Sequence, residues 1–136
     1  MTINCPEADR IASRRWLVIV AVVLHLIAGI LAVMYANGIH HELLQIHREP
    51  PQYGSTSATK ILFPLLVGVI LAAQVLGTVG VFRLCYCWDN DGGPMIMALL
   101  VLIPILSVPV LFYALVRSYF AARRALADAA AEKMSP

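Results

Sequence analysis

The fold of this chain is decided by an uncharged stretch at residues 16–37, WLVIVAVVLHLIAGILAVMYAN. Two further stretches without Asp, Glu, Lys or Arg follow at residues 61–82 and 94–116. At about 1.5 Å per residue, a helix of about 22 residues covers roughly 33 Å, which is enough for a hydrocarbon core of about 30 Å. We therefore predict an all-α, polytopic membrane protein with three transmembrane helices, at about residues 16–37, 61–83 and 94–117.

The rest of the chain is too short for a second, soluble domain. Hydrophobic residues make up 60% of the 136 residues, so residues 1–136 are predicted to form a single transmembrane domain. Loop 38–60 begins with Ile39, Leu43 and Ile46 at helical spacing, which predicts a short interfacial helix after the first span. Residues 118–133 lack Gly and Pro and are rich in Ala and Arg, so they are predicted to form a C-terminal helical extension.

The distribution of Lys and Arg bears on orientation. Three lie in the N-terminal tail, two in the first loop, one in the second and four in the C-terminal tail. With three full spans, four of these charges lie on one side and six on the other, so the positive-inside rule barely discriminates. Arg14 and Arg15 adjoin the first span, and on this ground we expect a cytoplasmic N-terminus in an integral membrane protein.

The third apolar run allows a second topology because it contains Pro104 and Pro109. If this run entered the membrane and returned, both tails would lie on the same side, and the Lys and Arg count would become eight against two. Non-helical backbone at membrane depth is tolerated only when protein buries it or when it lines water. A full span is the prediction, and the re-entrant form remains the alternative.

The most specific polar feature lies inside the predicted membrane. His25 is nine residues after Trp16, and Gln74 is nine residues before Arg83. Since the first two spans are antiparallel, both side chains are expected at the same depth, on helix faces rich in Ala and Gly where helices approach closely. We predict a polar helix-packing pair of His25 and Gln74. An intramembrane histidine is also a functional candidate.

Metal and thiol chemistry have weaker support. His40 and His47 would share a helix face but lie two turns apart, about 10 Å, which is too far to bind one ion. Cys5, Cys85 and Cys87 are expected on the other side of the membrane from these histidines, so only a site made of three thiols stays open, with a soft-metal or redox role. We predict no metal, no cofactor and no catalytic residues.

One pattern resembles a known group of proteins. Gly80, Val81, Phe82, Arg83 and Leu84, followed by the Ile103-Pro104 pair in an apolar run, resemble a pattern in small uncharacterised bacterial inner-membrane proteins. The resemblance covers about a third of the chain and does not include the Cys85-Tyr86-Cys87 segment. It implies a bacterial inner membrane and no particular activity.

These observations favour an interaction protein over an enzyme. No nucleophile with a base, paired carboxylates or phosphate-binding loop is present in the sequence. We expect an accessory or interaction subunit that binds other membrane subunits or a second copy of itself, and no nucleic acid. One alternative is a small transporter or channel that uses His25, Gln74 and the break at Pro104, and another is the thiol-based role of Cys5, Cys85 and Cys87.

Overall fold

A computed structural model describes residues 6–46, 58–87 and 92–134, which form an all-helical bundle. The described helices are α1 (Pro6–Ile46), α2 (Ala58–Cys85), α3 (Gly93–Val101) and α4 (Pro104–Met134). Three of them, α1, α2 and α4, are long and apolar enough to cross a membrane, and only 17%, 28% and 22% of their most apolar windows are buried within the chain. The expected all-α class, with three helices long and apolar enough to span a membrane, is confirmed, and these helices indicate an integral membrane protein.

The third apolar run differs from the prediction because it is divided into two helices at Leu102 and Ile103. The N–H groups of these residues donate to the carbonyls of Leu99 and Leu100 at 3.1 and 3.2 Å, short-range bonds that tighten and end α3. Pro104 has no N–H group with which to continue α3, and its fixed φ suits the first turn of a new helix. The predicted continuous helix over residues 94–117 is therefore replaced by α3, a two-residue break and α4.

The directions of the helices follow from their contacts. A Cβ built on Gly38 would lie 2.9 Å from Thr59, and one built on Gly80 would lie 3.1 Å from Val18, so α1 and α2 are antiparallel. Arg15 hydrogen-bonds Ser118 of α4, which places both at one end of the bundle. We call this the arginine end, because Arg14, Arg15 and Arg83 lie there, and we call the end with Gly38 and Thr59 the loop end.

Helices α3 and α4 form a hairpin that reaches only half the depth of the bundle. From Gly93, α3 runs inward along α2 until Val101 lies beside Gly77, eight residues from the C-terminus of α2. Then α4 returns along α1, since Ser107 contacts His25 and Ser118 contacts Arg15. The break at residues 102–103 therefore lies near the depth of His25, and α4 leaves the bundle at the arginine end.

The core is confined to the half of the bundle in which all four helices meet. Its buried residues are Ile11, Val18, Ala21, Val81, Leu84, Cys85, Val101, Leu111 and Ala114. Towards the loop end, the described residues form only the pair α1 and α2. This pair is held by contacts such as the rings of Tyr35 and Phe63, with centroids 5.8 Å apart, and the Thr59 hydroxyl, which donates to Glu42 at 2.8 Å.

The ends of α1 and α4 include two segments for which the sequence predicts additional helix. Residues from Ile39 to Ile46, where a separate interfacial helix was predicted, continue α1 without interruption. The rest of that loop lies outside the described residues. Helix α4 runs unbroken to Met134 and includes residues 118–133, where the sequence predicts a helical extension.

Candidate functional site

The histidine in the apolar part of α1, His25, is held between two helices. His25 Nδ1 lies 2.7 Å from the carbonyl oxygen of Ala21, one turn earlier in α1, and Nε2 lies 3.0 Å from the hydroxyl of Ser107 in α4. A carbonyl oxygen only accepts hydrogen bonds, so Nδ1 carries a proton. The partly buried ring thereby joins α1 to the start of α4, at the depth where the hairpin turns.

The Ser107 hydroxyl has two acceptors within reach. Its oxygen lies 3.0 Å from His25 Nε2 and 2.8 Å from the carbonyl oxygen of Pro104, but it has only one hydrogen to donate. With a proton on Nδ1, Nε2 of the neutral ring accepts the hydrogen bond from the hydroxyl.

Gln74, the predicted partner of His25, is placed differently. It is 8% exposed, and its Oε1 is the one buried side-chain oxygen or nitrogen without a hydrogen-bond partner among the described residues. A Cβ on Gly77, one turn away on the same face of α2, would lie 3.5 Å from Ala21 and 3.0 Å from Val101. Gln74 therefore lies near the depth of His25, and the side chain on another helix to which His25 is hydrogen-bonded is Ser107.

The predicted thiol and histidine candidates are distributed over both ends of the bundle. Cys85 is buried and Cys87 is partly buried at the arginine end, where Arg14 donates to Cys87 Sγ at 3.5 Å. His40 and His41 are exposed near the loop end. Cys5 and His47 lie outside the described residues. In the described parts of the chain, no three His, Cys, Asp or Glu side chains are grouped as metal ligands.

A second polar cluster, which the sequence reasoning missed, lies at the arginine end. Arg15 donates from Nε to the Ser118 hydroxyl at 3.0 Å and from Nη2 to the Ser118 carbonyl at 3.3 Å. Arg14 donates to the carbonyl of Arg83 at 3.0 Å. These bonds attach the start of α1 to the end of α2 and to the middle of α4.

Ser107 was missed as well, although the sequence contains a signal for it. It is the one serine in the apolar run 94–116, and His25 is the one histidine in the run 16–37. Isolated polar side chains in opposed apolar helices tend to meet, because hydrocarbon offers them no other partner.

Searches against protein-family models, curated proteins and solved structures find no match to this chain.

Proposed function

We propose that this chain is a non-catalytic accessory subunit of a membrane assembly, in which a neighbouring subunit covers the half-depth hairpin of α3 and α4. The resemblance of Gly80–Leu84 to small inner-membrane proteins supports a bacterial inner membrane as its location. The proposal depends on one observation, the exposure of the hairpin apex, which consists of residues 102–106.

The apex is apolar and uncovered. Leu102, Ile103 and Leu106 are 51%, 46% and 39% exposed, and Ile105, at 85%, has the highest exposure among the large hydrophobic residues described. The apex lies near the middle of the bundle. Between the apex and the loop end, the described residues provide only α1 and α2.

Lipid alone is a poor environment for this backbone. The fourth residue after Ile105 is Pro109, which has no N–H group, so the Ile105 carbonyl lacks the usual helical donor. An unsatisfied carbonyl in hydrocarbon costs several kcal/mol, and irregular backbone at membrane depth is found where protein or water covers it. A single chain of 136 residues supplies no such cover at its apex within the described residues, which supports a neighbouring protein subunit as the occupant.

The test places a photo-crosslinking amino acid at Ile105 and irradiates native membranes. We expect a crosslinked protein band of discrete mass. The matched control is Val75, which is 59% exposed at a similar depth on the continuous helix α2 and is expected to react with lipid. A product of twice the chain mass would identify the neighbour as a second copy. Lipid adducts alone at Ile105 would overturn the proposal.

We also propose that both ends of the chain lie in the cytoplasm. With α4 returning to the arginine end, Arg10, Arg14, Arg15, Arg83, Arg117, Arg123, Arg124 and Lys133 are assigned to one side, and Arg48 and Lys60 to the other. Eight positive residues against two is a strong asymmetry for the positive-inside rule, whereas full spans give four against six. This arrangement keeps the expected cytoplasmic N-terminus and moves the C-terminus to the same side.

A transport function is the second candidate, and the group formed by His25, Ser107 and Gln74 supports it. His25 and Ser107 are hydrogen-bonded near the helix break at mid-depth, and on α2 Gln74 Oε1 has an unused acceptor site within the described residues. Such features line polar paths in transporters.

Substitution of His25 separates the two candidates. In liposomes with a pH-sensitive dye and an imposed membrane potential, a transporter would show proton flux that His25→Gln abolishes while the crosslink from Ile105 persists. An accessory subunit would show no flux above empty liposomes, and His25→Gln would weaken the crosslink by loosening the hairpin.

A further inference from the structure

Four arginine residues lie near one level of the bundle, and the Arg117 guanidinium among them donates to the Tyr113 hydroxyl, one turn earlier in α4, at 2.7 Å. Arg14 is bonded to the carbonyl of Arg83, and Arg15 is bonded to Ser118, which adjoins Arg117. We call Arg14, Arg15, Arg83 and Arg117 the guanidinium belt. Three helices contribute to it, so the belt follows from the return of α4 to the arginine end and is independent of the partner that covers the apex.

Exposed aromatic side chains place this level at a membrane interface. Trp16 of α1 is 65% exposed, Tyr86 after α2 is 56% exposed, and Tyr119 of α4 is 54% exposed. Each lies within three residues of a member of the belt. Trp and Tyr are enriched at the depth of lipid headgroups, where an apolar ring and a polar edge are both accommodated. The guanidinium belt therefore lies at the depth of the lipid phosphates.

The carboxylates of the described residues lie away from the belt. Among the described acidic residues, Glu7 and Asp9 lie at least five residues outward from Arg14, about 7 Å or more by helical rise, and Asp128 lies ten residues beyond Ser118. Asp89 and Asp91 lie outside the described residues. If both paired with the belt, two of the four positive charges would still exceed the carboxylates.

We propose that the guanidinium belt binds the phosphodiester groups of anionic phospholipids. Guanidinium groups recognise phosphate oxygens through paired N–H donors, and Arg is the preferred residue for this recognition. A zwitterionic lipid carries its own positive charge beside the phosphate, whereas phosphatidylglycerol does not. Charge complementarity therefore favours the anionic lipid as the occupant.

The test measures thermal unfolding of the purified full chain in a neutral detergent, with phosphatidylglycerol or phosphatidylcholine added. We expect phosphatidylglycerol to raise the unfolding temperature more than phosphatidylcholine does. The double substitution Arg83→Gln and Arg117→Gln should remove at least half of this difference. The contact that Arg14 makes with residue 83 uses the backbone carbonyl, so it survives that substitution.

The control removes the same amount of charge elsewhere on the same end. Arg123→Gln with Arg124→Gln, two turns further along α4, should retain most of the response to phosphatidylglycerol. If both double variants lost the response to phosphatidylglycerol equally, the lipid would be attracted by the total positive charge of this end. That result would overturn the proposal of binding at the guanidinium belt. Equal stabilisation by both lipids, or by inorganic phosphate added with phosphatidylcholine, would overturn the assignment to an anionic lipid.

Discussion

At the scale of single residues, the close approach of α1 and α2 depends on Gly80. A Cβ at this position would lie 3.1 Å from Val18 Cγ2 and 3.1 Å from the Val18 backbone nitrogen, and the backbone atom has little freedom to move. We expect Gly80→Ala to lower the free energy of unfolding by about 1–3 kcal/mol, as overpacking of a helix interface does. The measurement is unfolding by SDS in mixed micelles.

The control for this prediction is Gly68→Ala in the same helix. No atom lies within 4 Å of the Cβ that this substitution adds. Its helix propensity gain is the same, so stability should be unchanged or higher. Equal losses of stability in both variants would show that helix packing at Gly80 is not the cause.

The hydrogen bond between His25 and Ser107 gives a second prediction at this scale. A double-mutant cycle with His25→Ala and Ser107→Ala should yield a coupling energy of about 1 kcal/mol, as measured for hydrogen bonds between transmembrane helices. The same cycle with Gln74→Leu in place of Ser107→Ala should give a coupling near zero. A larger coupling to Gln74 than to Ser107 would contradict the arrangement described.

At the scale of elements, the sequence does not predict which prolines lie within a continuous helix and which one follows a break. Pro64 lies within the continuous helix α2 and Pro109 within α4, whereas Pro104 begins a helix after a break. The three apolar runs predict helices, because length and composition suffice for that. The reversal after α3 depends on the contacts of Val101 and Ser107 with other helices, which a single run does not encode. The sequence therefore left the re-entrant form as an alternative, and it missed Ser107 as the partner of His25.

The C-terminal part of α4 gives an element-scale prediction. Ala121 and Ala122 are partly buried against the core, whereas Ala127 and Ala131 are exposed. Replacing Ala121 and Ala122 with Gly should reduce stability by about 2 kcal/mol from helix propensity, plus the loss of packed methyl groups.

The matched control replaces Ala127 and Ala131 with Gly, which has the same propensity cost without the packing loss. Circular dichroism and SDS unfolding should show the larger destabilisation for the inner pair. If the outer pair were equally destabilising, the contact of α4 with the core would contribute nothing beyond helix formation.

At the scale of the whole molecule, the half-depth hairpin predicts which surfaces share a side of the membrane. In a variant without native cysteines, a cysteine at Ala131 should react with an impermeant thiol reagent from the same side as one at Pro6. A cysteine at Ser55 should react from the other side. The reason is that α4 leaves the bundle at the arginine end, beside the start of α1.

Labelling in intact cells and in inverted membrane vesicles supplies the measurement. Reaction of Ala131→Cys and Ser55→Cys from one side would contradict the hairpin and restore a full third span. Equal labelling of every position from both sides would indicate two opposite orientations, which the asymmetry of eight against two positive residues disfavours.

The depth of the hairpin has a consequence for biosynthesis. If both ends stay on the side of synthesis, the charged end of α4, with Arg123, Arg124, Asp128 and Glu132, is never translocated. Among the described helices and their connections, the polar segment that has to pass through the bilayer in this topology is the connection between α1 and α2. Since α1 and α2 precede α3 and α4 in the chain, the hairpin is added to a helix pair that already contains His25. In this topology, insertion of the described helices requires the passage of the connection between α1 and α2, and α3 and α4 are added from the side on which they are made.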